Sequence, residues 1–332
     1  MDVTLVTKRT KGIVGISRYT EELAKRLHAR VITLHSRMPR LFIDWEAIFT
    51  NYPLKLPRVK GIMHLTSQTL ALPLLWQKHK GPIIVSVLDV IPLAIQFKDR
   101  SLIDRILFKL TCIAIKRADH IITISEHTKK DVMRYLRIPE KKITVTPLAA
   151  DLTPKKVARS THTMLYVGSL DPRKNIEVIL RALRFVPDVR LRMVGHPQFN
   201  RQHEIERAAS ALGVAQQLDW IGPVEDIAKE YAKATICVMP SRYEGFGLTV
   251  IEAMACSCPV LAANTSSLPE VGGDAALYFN PDDHQALASL IKKVINSPRL
   301  QKELQKRGKK RAKLFTWENT ATLTRAVYAR FD

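Results

Sequence analysis

The sequence predicts an α/β protein built from two doubly wound parallel sheets. Short β-rich runs alternate with helical patterns along almost the whole chain, which is typical of strands joined by crossover helices. The alternation stops over the polar, proline-bearing residues 151–163 and then begins again. A chain of 332 residues is also longer than one hydrophobic core usually accommodates. We therefore expect two domains, residues 1–150 and 151–316, with a terminal helix over about 317–332 that packs back on the first.

The first half contains candidate strands separated by helical patterns. Each strand is a short run of apolar and β-branched residues. The candidate strands are Val3–Thr7, Val31–Leu34, Gly61–Leu65, Ile83–Val87, His120–Ile124 and Ile143–Thr146. Two apolar stripes with helical spacing are Tyr19, Leu23, Ala24 and Leu27, and Leu102, Ile103, Ile106, Leu107, Leu110, Ile113 and Ala114. We interpret the longer stripe as a helix face that packs on the core.

The second half repeats this organisation. Its candidate strands are Met164–Val167, Arg190–Val194, Leu218–Ile221, Thr235–Met239, Val260–Ala263 and Ala276–Phe279. Helical patterns close the chain over Asp282–Asn296, Pro298–Leu314 and Trp317–Arg330. Two doubly wound halves joined by a linker predict an active site in the crevice between them.

The net charge is the unusual bulk property of the chain. It has 52 basic and 31 acidic residues, a formal charge of +21. Residues 1–150 carry 26 basic and 12 acidic side chains, a net +14, and the remainder carries +7. Such a charge favours anionic partners such as phospholipid surfaces or phosphorylated acceptors. No nucleic-acid-binding motif accompanies it, so we expect no nucleic-acid partner.

The compartment predicted from the sequence is the cytoplasm. No apolar run is long enough to span a bilayer, and the N-terminal MDVTLVT is a predicted strand without a basic region or cleavage site before it. The four cysteines are most simply reduced core thiols. Peripheral contact with an anionic membrane, through residues 36–45 or the helix over 97–117, is an alternative use of the charge.

The stretch Ser241–Pro259, SRYEGFGLTVIEAMACSCP, carries the strongest functional signal. It runs from an apolar strand through a Glu-Gly-Phe-Gly turn into an apolar helix. Free amides at such a helix start bind phosphate or sugar oxygens. Glu244 lies in the turn and Glu252 inside the helix, where a carboxylate needs a polar partner such as a ribose diol. The pattern predicts a nucleotide-sugar site, although Glu252 taken alone would better suit an exposed helix position.

A second motif, MLYVGSLDPRKN over Met164–Asn175, places two cations after a strand and a glycine. Arg173 and Lys174 precede a helix start, where cations are locally unfavourable. Fixed cations there would stabilise the negative charge that develops on a diphosphate leaving group. We therefore favour a ligand-binding role over a solvated pair.

These motifs resemble those of the retaining glycosyltransferases of family four, which have the two-domain GT-B fold. In the second half the resemblance lies in VGSLDPRKN (167–175), VGHP (194–197), SRYEGFGLTVIEAMACSCPV (241–260) and LPEVGGDAALYFNPDD (268–283). In the first half it lies in GIVGISRYTEEL (12–23), HLTSQTLALPL (64–74), LDVIPL (88–93) and ADHIITISEHTKKDV (118–132). It covers essentially the whole chain, and the paired glutamates with RKN upstream are its specific part.

The resemblance implies a role for each matching position. Arg173 and Lys174 would grip the donor diphosphate, and Glu244 would bond the donor sugar; these three are the expected catalytic residues. Glu252 would hold the ribose. The other expected donor-side positions are Gly15 in the loop after the first strand, Gly168, Gly245, Phe246, Gly247 and Leu248. The expected acceptor-side positions are His64, Asp89 and Ser125.

One departure from the family pattern concerns the acceptor side. Many relatives have His-Asp where this chain has Leu88 and Asp89, which weakens any mechanism that relies on a side chain at position 88. No Asp-x-Asp pair occurs, so we expect no metal, with Arg173 and Lys174 replacing it. The resemblance implies a front-face substitution that retains the anomeric configuration.

The expected function is transfer of a hexose from a nucleotide diphosphate sugar, with no separate cofactor. The second-half motifs most resemble those of mannosyltransferases, which favours GDP-mannose, with a UDP-sugar as the other possible donor. The expected acceptor is a glycan, lipid-linked or other hydroxyl in cell-envelope polysaccharide or glycolipid synthesis. Two alternatives stay open: a nucleotide-sugar epimerase on a related fold, and a non-enzymatic protein that binds anions or nucleic acid.

Overall fold

The structure is a computed structural model that describes residues 2–8, 14–34, 53–95, 102–196 and 199–332. The chain divides into two compact units, Met1–Leu148 with Trp317–Asp332, and Ala149–Thr316. Each unit contains one parallel sheet in its described residues. The predicted fold class, two doubly wound α/β domains, is confirmed.

The first unit is built on a sheet with six described strands. They are β1 (Val3–Lys8), β2 (Arg30–Leu34), β3 (Ile62–Leu65), β4 (Ile83–Val87), β5 (His120–Thr123) and β6 (Ile143–Val145). Their order is β2-β1-β3-β4-β5-β6. Strands β1, β3, β4 and β5 are buried along their whole length, which explains their almost continuous apolar sequences. The chain changes direction across the sheet between β1 and β3, a switch point of the kind where α/β sheets bind ligands.

Helices and two 3-10 segments connect these strands. The helices are α1 (Val14–Leu27), α2 (Ile91–Ala94), α3 (Leu102–Ile115) and α4 (Glu126–Leu136), and the 3-10 segments are Gln68–Leu75 and Glu140–Lys142. The core between helices and sheet is formed by buried aliphatic side chains such as Leu65, Val85 and Ile121.

Helix α3 faces the opposite way from our sequence interpretation. Its buried side chains are Phe108, Thr111, Cys112, Ala114 and Ile115. Most of the predicted core stripe is exposed instead: Leu102, Ile103, Ile106, Leu110 and Ile113. The interpretation was wrong because α3 is apolar on both sides, so its 3.6-residue period identifies a helix without selecting the buried face.

The second unit has the same architecture. Its described strands are β7 (Thr163–Val167), β8 (Arg190–Val194), β9 (Leu218–Gly222), β10 (Ile236–Met239), β11 (Val260–Ala263) and β12 (Ala276–Phe279). Their order, β12-β11-β10-β7-β8-β9, places the switch point between β7 and β10. The helices are α5 (Ile176–Leu183), α6 (Phe199–Ala211), α7 (Ile227–Lys233), α8 (Leu248–Ala255), α9 (Leu268–Gly272), α10 (His284–Ile295) and α11 (Pro298–Ala312). Its 3-10 segments are Pro172–Lys174, Ala215–Gln217 and Gly273–Ala275.

The terminal helix α12 (Trp317–Tyr328) belongs to the first unit. Thr320 donates a hydrogen bond to the Pro147 carbonyl oxygen at 2.6 Å. At its other end Tyr328 is buried and bonds to His64 in β3 at 2.6 Å. Helix α12 therefore completes a fold whose strands, β1 to β6, all end at or before Val145.

Candidate functional site

The loops that follow β7 and β10 meet at the switch point of the second sheet. Because β7 and β10 are adjacent parallel strands, their carboxyl ends lie at the same edge. Residues 168–175 follow β7, and residues 240–247 follow β10. The two loops are joined through their backbones, since Arg242 N donates to Arg173 O at 2.8 Å. The sheet order thus brings together the two motifs identified in the sequence.

The two cations are carried on a rigid 3-10 turn. Asp171 caps the turn by accepting a hydrogen bond from Arg173 N at 3.0 Å. Asn175 ends the turn in the left-handed region, with φ 55°. Its side-chain amide donates to the carbonyl oxygens of Pro240 at 3.2 Å and Pro281 at 2.8 Å. These bonds fix the turn to the end of β10 and to the loop after β12.

Glu244 binds both cations at once. Lys174 Nζ lies 2.6 Å from Glu244 Oε1, and Arg173 Nη1 lies 3.1 Å from Glu244 Oε2. Arg173 Nη1 also donates to the Tyr243 carbonyl oxygen at 3.0 Å. All three charged side chains are mostly buried, with 11% of Glu244 and Lys174 and 18% of Arg173 exposed. We refer to Arg173, Lys174 and Glu244 as the ion cluster.

The ion cluster keeps Glu244 ionised. Burial opposes ionisation of this carboxyl, but Lys174 and then Arg173 outweigh it and lower the pKa of Glu244 below its usual 4.5. With two cations and one carboxylate, the cluster has a formal charge of +1, and the Asp171 carboxylate, 3.8 Å from Arg173 Nε, offsets it. Within the described residues, no three His, Cys, Asp or Glu side chains cluster closely enough to hold a metal ion. The cluster therefore offers two positioned cations to an anionic ligand.

Three consecutive hydroxyl residues hold the turn that contains Glu244. Thr265 donates to Ser241 O at 2.8 Å, and Ser266 Oγ accepts from Glu244 N at 2.9 Å. Ser267 donates to the carbonyl oxygens of Glu244 at 2.9 Å and Phe246 at 2.8 Å. None of these three residues was predicted from the sequence. The signal available was a Thr-Ser-Ser run directly after a predicted strand.

The glycine turn leads into α8 with a left-handed residue. Gly247 has φ 101° and is the N-cap of α8, which begins at Leu248. Glycine is favoured here because side-chain-bearing residues rarely adopt this φ, and a Cβ atom would also lie 2.8 Å from the end of the Leu268 side chain. Phe246 is buried and packs edge-on against Phe315, with ring centroids 5.7 Å apart. Because the Phe246 side chain is packed in this way, the predicted ligand contact of Phe246 would be made by its backbone amide. Gly245, also predicted on the donor side, is buried in the same turn.

Glu252 has a protein partner. It lies half-buried in α8 and accepts a hydrogen bond from Tyr231 of α7 at 3.1 Å. Tyr231 is fully buried, and its burial, with the charge of Glu252, raises the pKa of the phenol well above 10. The cost of placing this carboxylate among apolar residues is therefore met in part by Tyr231. The ribose contact predicted for Glu252 stays a prediction.

A cavity of about 240 Å³ opens at the carboxyl ends of β7, β8 and β9. Its lining is Tyr166, Gly168, Leu170, Met193, Val194, Gly195, His196, Gln202, Trp220, Ile221 and Gly222. Gly168 was predicted on the donor side, whereas Gly195, Trp220 and Gly222 were not. A Cβ atom on Gly195 would lie 2.1 Å from the Gly168 carbonyl oxygen, so this glycine allows two strand ends to approach each other. Gly195 belongs to the VGHP motif (194–197), which was the sequence signal for its position in the site.

The structure gives His64 a role in the core of the first unit. His64 is fully buried. Its Nδ1 atom lies 2.6 Å from Tyr328 Oη, and its Nε2 atom lies 2.7 Å from Ser86 Oγ. Tyr19 Oη is in turn 2.9 Å from Ser86 Oγ. Both ring nitrogens are therefore occupied within the core, and the acceptor-side role of His64 stays a prediction. Burial lowers the pKa of His64 to about 3, so the imidazole is neutral.

Ser125 follows β5 as predicted, whereas Gly15 differs from its predicted setting. The buried Ser125 side chain is the N-cap of α4 and accepts from Thr128 N at 3.0 Å. Its hydroxyl therefore caps the helix, and the acceptor-side role of Ser125 stays a prediction. Gly15 lies in the first turn of α1 and not in a loop. The preceding residues of that motif, and the predicted membrane segment 36–45, lie outside the described residues.

Asp89, the third predicted acceptor-side residue, lies close enough to Lys8 for their charges to interact. Its half-buried side chain accepts from Ile91 N at 3.2 Å. Gln68 donates to the Asp89 carbonyl oxygen at 3.1 Å. Lys8, at the end of β1, donates to Thr69 Oγ1 at 3.1 Å. Burial lowers the pKa of Lys8 to about 8, against the opposing effect of Asp89. Lys8 was not singled out in the sequence.

Two family profiles match adjoining parts of the chain. The profile described as "Glycosyltransferase Family 4" matches residues 13–153. The profile described as "Glycosyl transferases group 1" matches residues 152–311, which contain the ion cluster. The chain belongs to the family-4 glycosyltransferases.

Curated relatives of this family-4 protein include two mannosyltransferases. "O-antigen chain mannosyltransferase B" of Escherichia coli is 32% identical over 235 residues, which cover 65% of this chain and 61% of the relative. "MMP alpha-(1->4)-mannosyltransferase" of Mycolicibacterium hassiacum is 29% identical over 227 residues, 65% of this chain and 55% of the relative. The match thus spans less than two thirds of either relative.

Solved structures share the GT-B fold of this family-4 protein. Sucrose-phosphate synthase from Thermosynechococcus elongatus superposes with a TM-score of 0.80 at 21% identity, covering 99% of both chains. Anabaena HepE in complex with UDP and glucose superposes with a TM-score of 0.79 at 15% identity, covering 98% of this chain and 99% of HepE. At these identities the similarity establishes the fold.

Proposed function

We propose that this family-4 protein is a hexosyltransferase that transfers mannose from a nucleotide diphosphate sugar to a hydroxyl acceptor. The observation that carries the proposal is the ion cluster at the switch point of the second sheet. A binding site for a diphosphate needs cations held in place before the ligand arrives. Arg173 and Lys174 meet this need because the turn on which they lie is fixed at Asp171 and Asn175.

In the proposed reaction the bond between the anomeric carbon and the diphosphate oxygen breaks. A bond from the acceptor hydroxyl oxygen forms on the same face, and the acceptor proton passes to the leaving phosphate oxygen. Arg173 and Lys174 stabilise the charge on that phosphate without a metal. Glu244 holds both cations in position and accepts hydrogen bonds from the sugar hydroxyls. The nearby cavity lined by Gly168 and Gly195 is the proposed seat of the nucleotide.

The names of the curated relatives support mannose, and therefore GDP-mannose as the first donor to test. The solved complexes of HepE contain UDP and UDP-glucose, so a UDP-sugar is the second. A glycan or lipid-linked hydroxyl is the proposed acceptor. We place the reaction in the cytoplasm, a compartment that suits the four buried, free cysteines.

The test is a donor screen followed by a comparison of variants. Thermal shifts with GDP-, UDP-, ADP- and dTDP-sugars identify the donor, and release of the nucleoside diphosphate with a glycan acceptor measures transfer. Arg173→Ala and Lys174→Met should each lower transfer by about 100-fold or more. Arg242→Ala is the matched control, because Arg242 is a neighbouring cation whose partner is the exposed Asp282.

The control should retain transfer and the thermal shift caused by the donor. Full transfer in purified Arg173→Ala would contradict the proposal. So would turnover of the nucleotide sugar without any acceptor, which would indicate epimerase chemistry. Proton NMR of the first product identifies its anomeric configuration, and an inverted product would contradict the same-face step.

A further inference from the structure

Helix α3 exposes a continuous apolar stripe to solvent. The exposed fractions are 70% for Leu102, 40% for Ile103, 49% for Ile106, 37% for Leu110 and 53% for Ile113. We call these five residues the α3 face. Helices on the surface of globular proteins normally turn such a stripe to the core. A contiguous exposed patch of large aliphatic side chains marks a surface that binds something else.

The α3 face is bordered by cations. At 3.6 residues per turn, its five side chains fall within an arc of about 100° around the helix. Arg105 and Lys109, which are exposed, project along one border of that arc, and Lys116 follows in the turn after the helix. Asp104, the acidic residue of α3, lies on the opposite side and is half-buried. The exposed surface of the helix therefore combines aliphatic and positively charged side chains.

An exposed tryptophan lies near the carboxyl end of α3. Arg117, just after the helix, donates to the Leu74 carbonyl oxygen at 2.8 Å. Trp76, two residues after Leu74, is 55% exposed. Its Nε1 atom donates to the carbonyl oxygen of Leu54, whose side chain is 52% exposed. Tryptophan with one apolar side and one polar atom is typical of membrane interfaces. The exposed basic residues around it are Lys55, Lys78 and Lys80.

We propose that the α3 face docks on the surface of an anionic lipid bilayer. Leu102, Ile106 and Ile113 would enter the boundary between headgroups and acyl chains, while Arg105 and Lys109 would contact lipid phosphates. Amphipathic helices with aliphatic and basic faces bind in the plane of the interface in this way. No helix among the described residues is long and apolar enough to span a membrane.

Charge complementarity favours a lipid surface over a second copy of the chain. The first half carries a net charge of +14, and a symmetric dimer through α3 would bring two sets of basic residues close together. An anionic bilayer offers the opposite charge together with an apolar interior. This proposal does not depend on which sugar or acceptor the protein uses.

The test is co-sedimentation of the full chain with vesicles at low salt. Vesicles of phosphatidylcholine with phosphatidylglycerol should bind the protein, and vesicles of phosphatidylcholine alone should bind it weakly. Ile106→Glu/Ile113→Glu should lower the partition coefficient by more than about tenfold. Arg105→Gln/Lys109→Gln should lower it by about fivefold for each charge removed. Melting temperatures should stay close to wild type, because these side chains are exposed.

The matched control uses the other strongly basic helix, α11. Lys306 and Lys310 are exposed and one turn apart, so Lys306→Gln/Lys310→Gln removes the same charge from a helix without an exposed apolar stripe. It should retain most vesicle binding. Equal loss in both charge variants would overturn the proposal, because binding would then follow net charge alone.

A second measurement locates the contact. Lipids brominated in the upper acyl chain should quench the fluorescence of Trp76, and Trp76→Phe should remove this quenching while the protein still binds. Unchanged quenching in Trp76→Phe would show that another surface inserts. A dimer in solution that Ile106→Glu/Ile113→Glu makes monomeric, without vesicle binding by the wild type, would also overturn the proposal and assign the face to a second copy.

Discussion

The two sheets have the same doubly wound plan, but the polar residues of their functional motifs do different work. In the second unit Arg173, Lys174 and Glu244 form a charged cluster in loops at the switch point. In the first unit His64 lies within a strand and joins a neutral network with Ser86 and Tyr328. A polar residue near a strand end is therefore a good candidate for ligand binding when a ligand can replace its protein partners. A residue whose hydrogen bonds are all enclosed in the core is a weaker candidate.

The two clusters also differ in how they meet the cost of burial. The ion cluster keeps its charges and pairs two cations with Glu244, while Asp171 lies 3.8 Å from Arg173. The His64 network suppresses charge altogether, because burial lowers the pKa of His64 to about 3. The charged ion cluster is suited to binding an anionic ligand, whereas the neutral His64 network holds α12 against the first sheet.

The largest expected effect is on transfer in Glu244→Gln. The substitution keeps the shape of the side chain but removes the charge that holds Arg173 and Lys174, so we expect about a 100-fold lower transfer rate. Glu244→Ala should in addition lose about 3 kcal/mol of stability, since it removes the carboxylate that two mostly buried cations share. Transfer assays and urea unfolding measure the two effects.

Asp282→Asn is the control for this pair. It breaks the exposed contact with Arg242 and should change stability by less than about 1 kcal/mol. If Glu244→Gln and Asp282→Asn changed the transfer rate and the free energy of unfolding equally, the ion cluster would be no different from an exposed surface ion pair.

The next effect is on stability in His64→Ala. The variant leaves a cavity and removes the His64 hydrogen bonds to Ser86 and Tyr328, so the free energy of unfolding should fall by about 3 kcal/mol. Transfer per folded molecule should change little, because His64 is enclosed in the core. His203→Ala is the control, since His203 is 69% exposed. A stable His64→Ala protein with poor acceptor saturation would instead support the predicted acceptor-side role.

The smallest effect is the pH dependence of stability. Unfolded histidine takes up a proton near pH 6.5, whereas folded His64 does so only near pH 3. The contribution of His64 to stability is therefore complete above pH 6.5 and is lost as the pH falls toward 3, with a slope of up to about 1.4 kcal/mol per pH unit. His120, whose pKa is lowered to about 4 by burial and then by Arg330 and Lys142, acts in the same direction.

Glu244 responds in a lower window. Its pKa is lowered from 4.5 in the folded state, so its contribution is present above pH 4.5 and is lost only below it. Urea unfolding should show that the free energy of unfolding is lower at pH 5.5 than at pH 7.5. His64→Gln should make this difference smaller, and Glu244→Gln should leave it unchanged. The reverse pattern would mean that the ion cluster, and not the His64 network, limits stability in mild acid.

Much of the fold was predictable because parallel strands buried on both faces have short apolar sequences. The predicted strand Arg190–Val194 has the same bounds as β8. For α3, by contrast, the sequence predicted a helix but not its buried face, because aliphatic side chains lie on both sides. The run Thr265–Ser267 was missed since hydroxyl residues after a strand are common in ordinary loops.

The sequence by itself determined the α/β class, the strand and helix order, the family and the residues Arg173, Lys174 and Glu244. Local composition and spacing are sufficient for these, since each is a property of neighbouring residues. Only the tertiary structure decided that Glu244 binds two cations seventy residues earlier in the chain, that His64 is sealed by Tyr328, and that the α3 face is exposed. These facts depend on which strands pair and which faces pack, and no local segment of the chain specifies either.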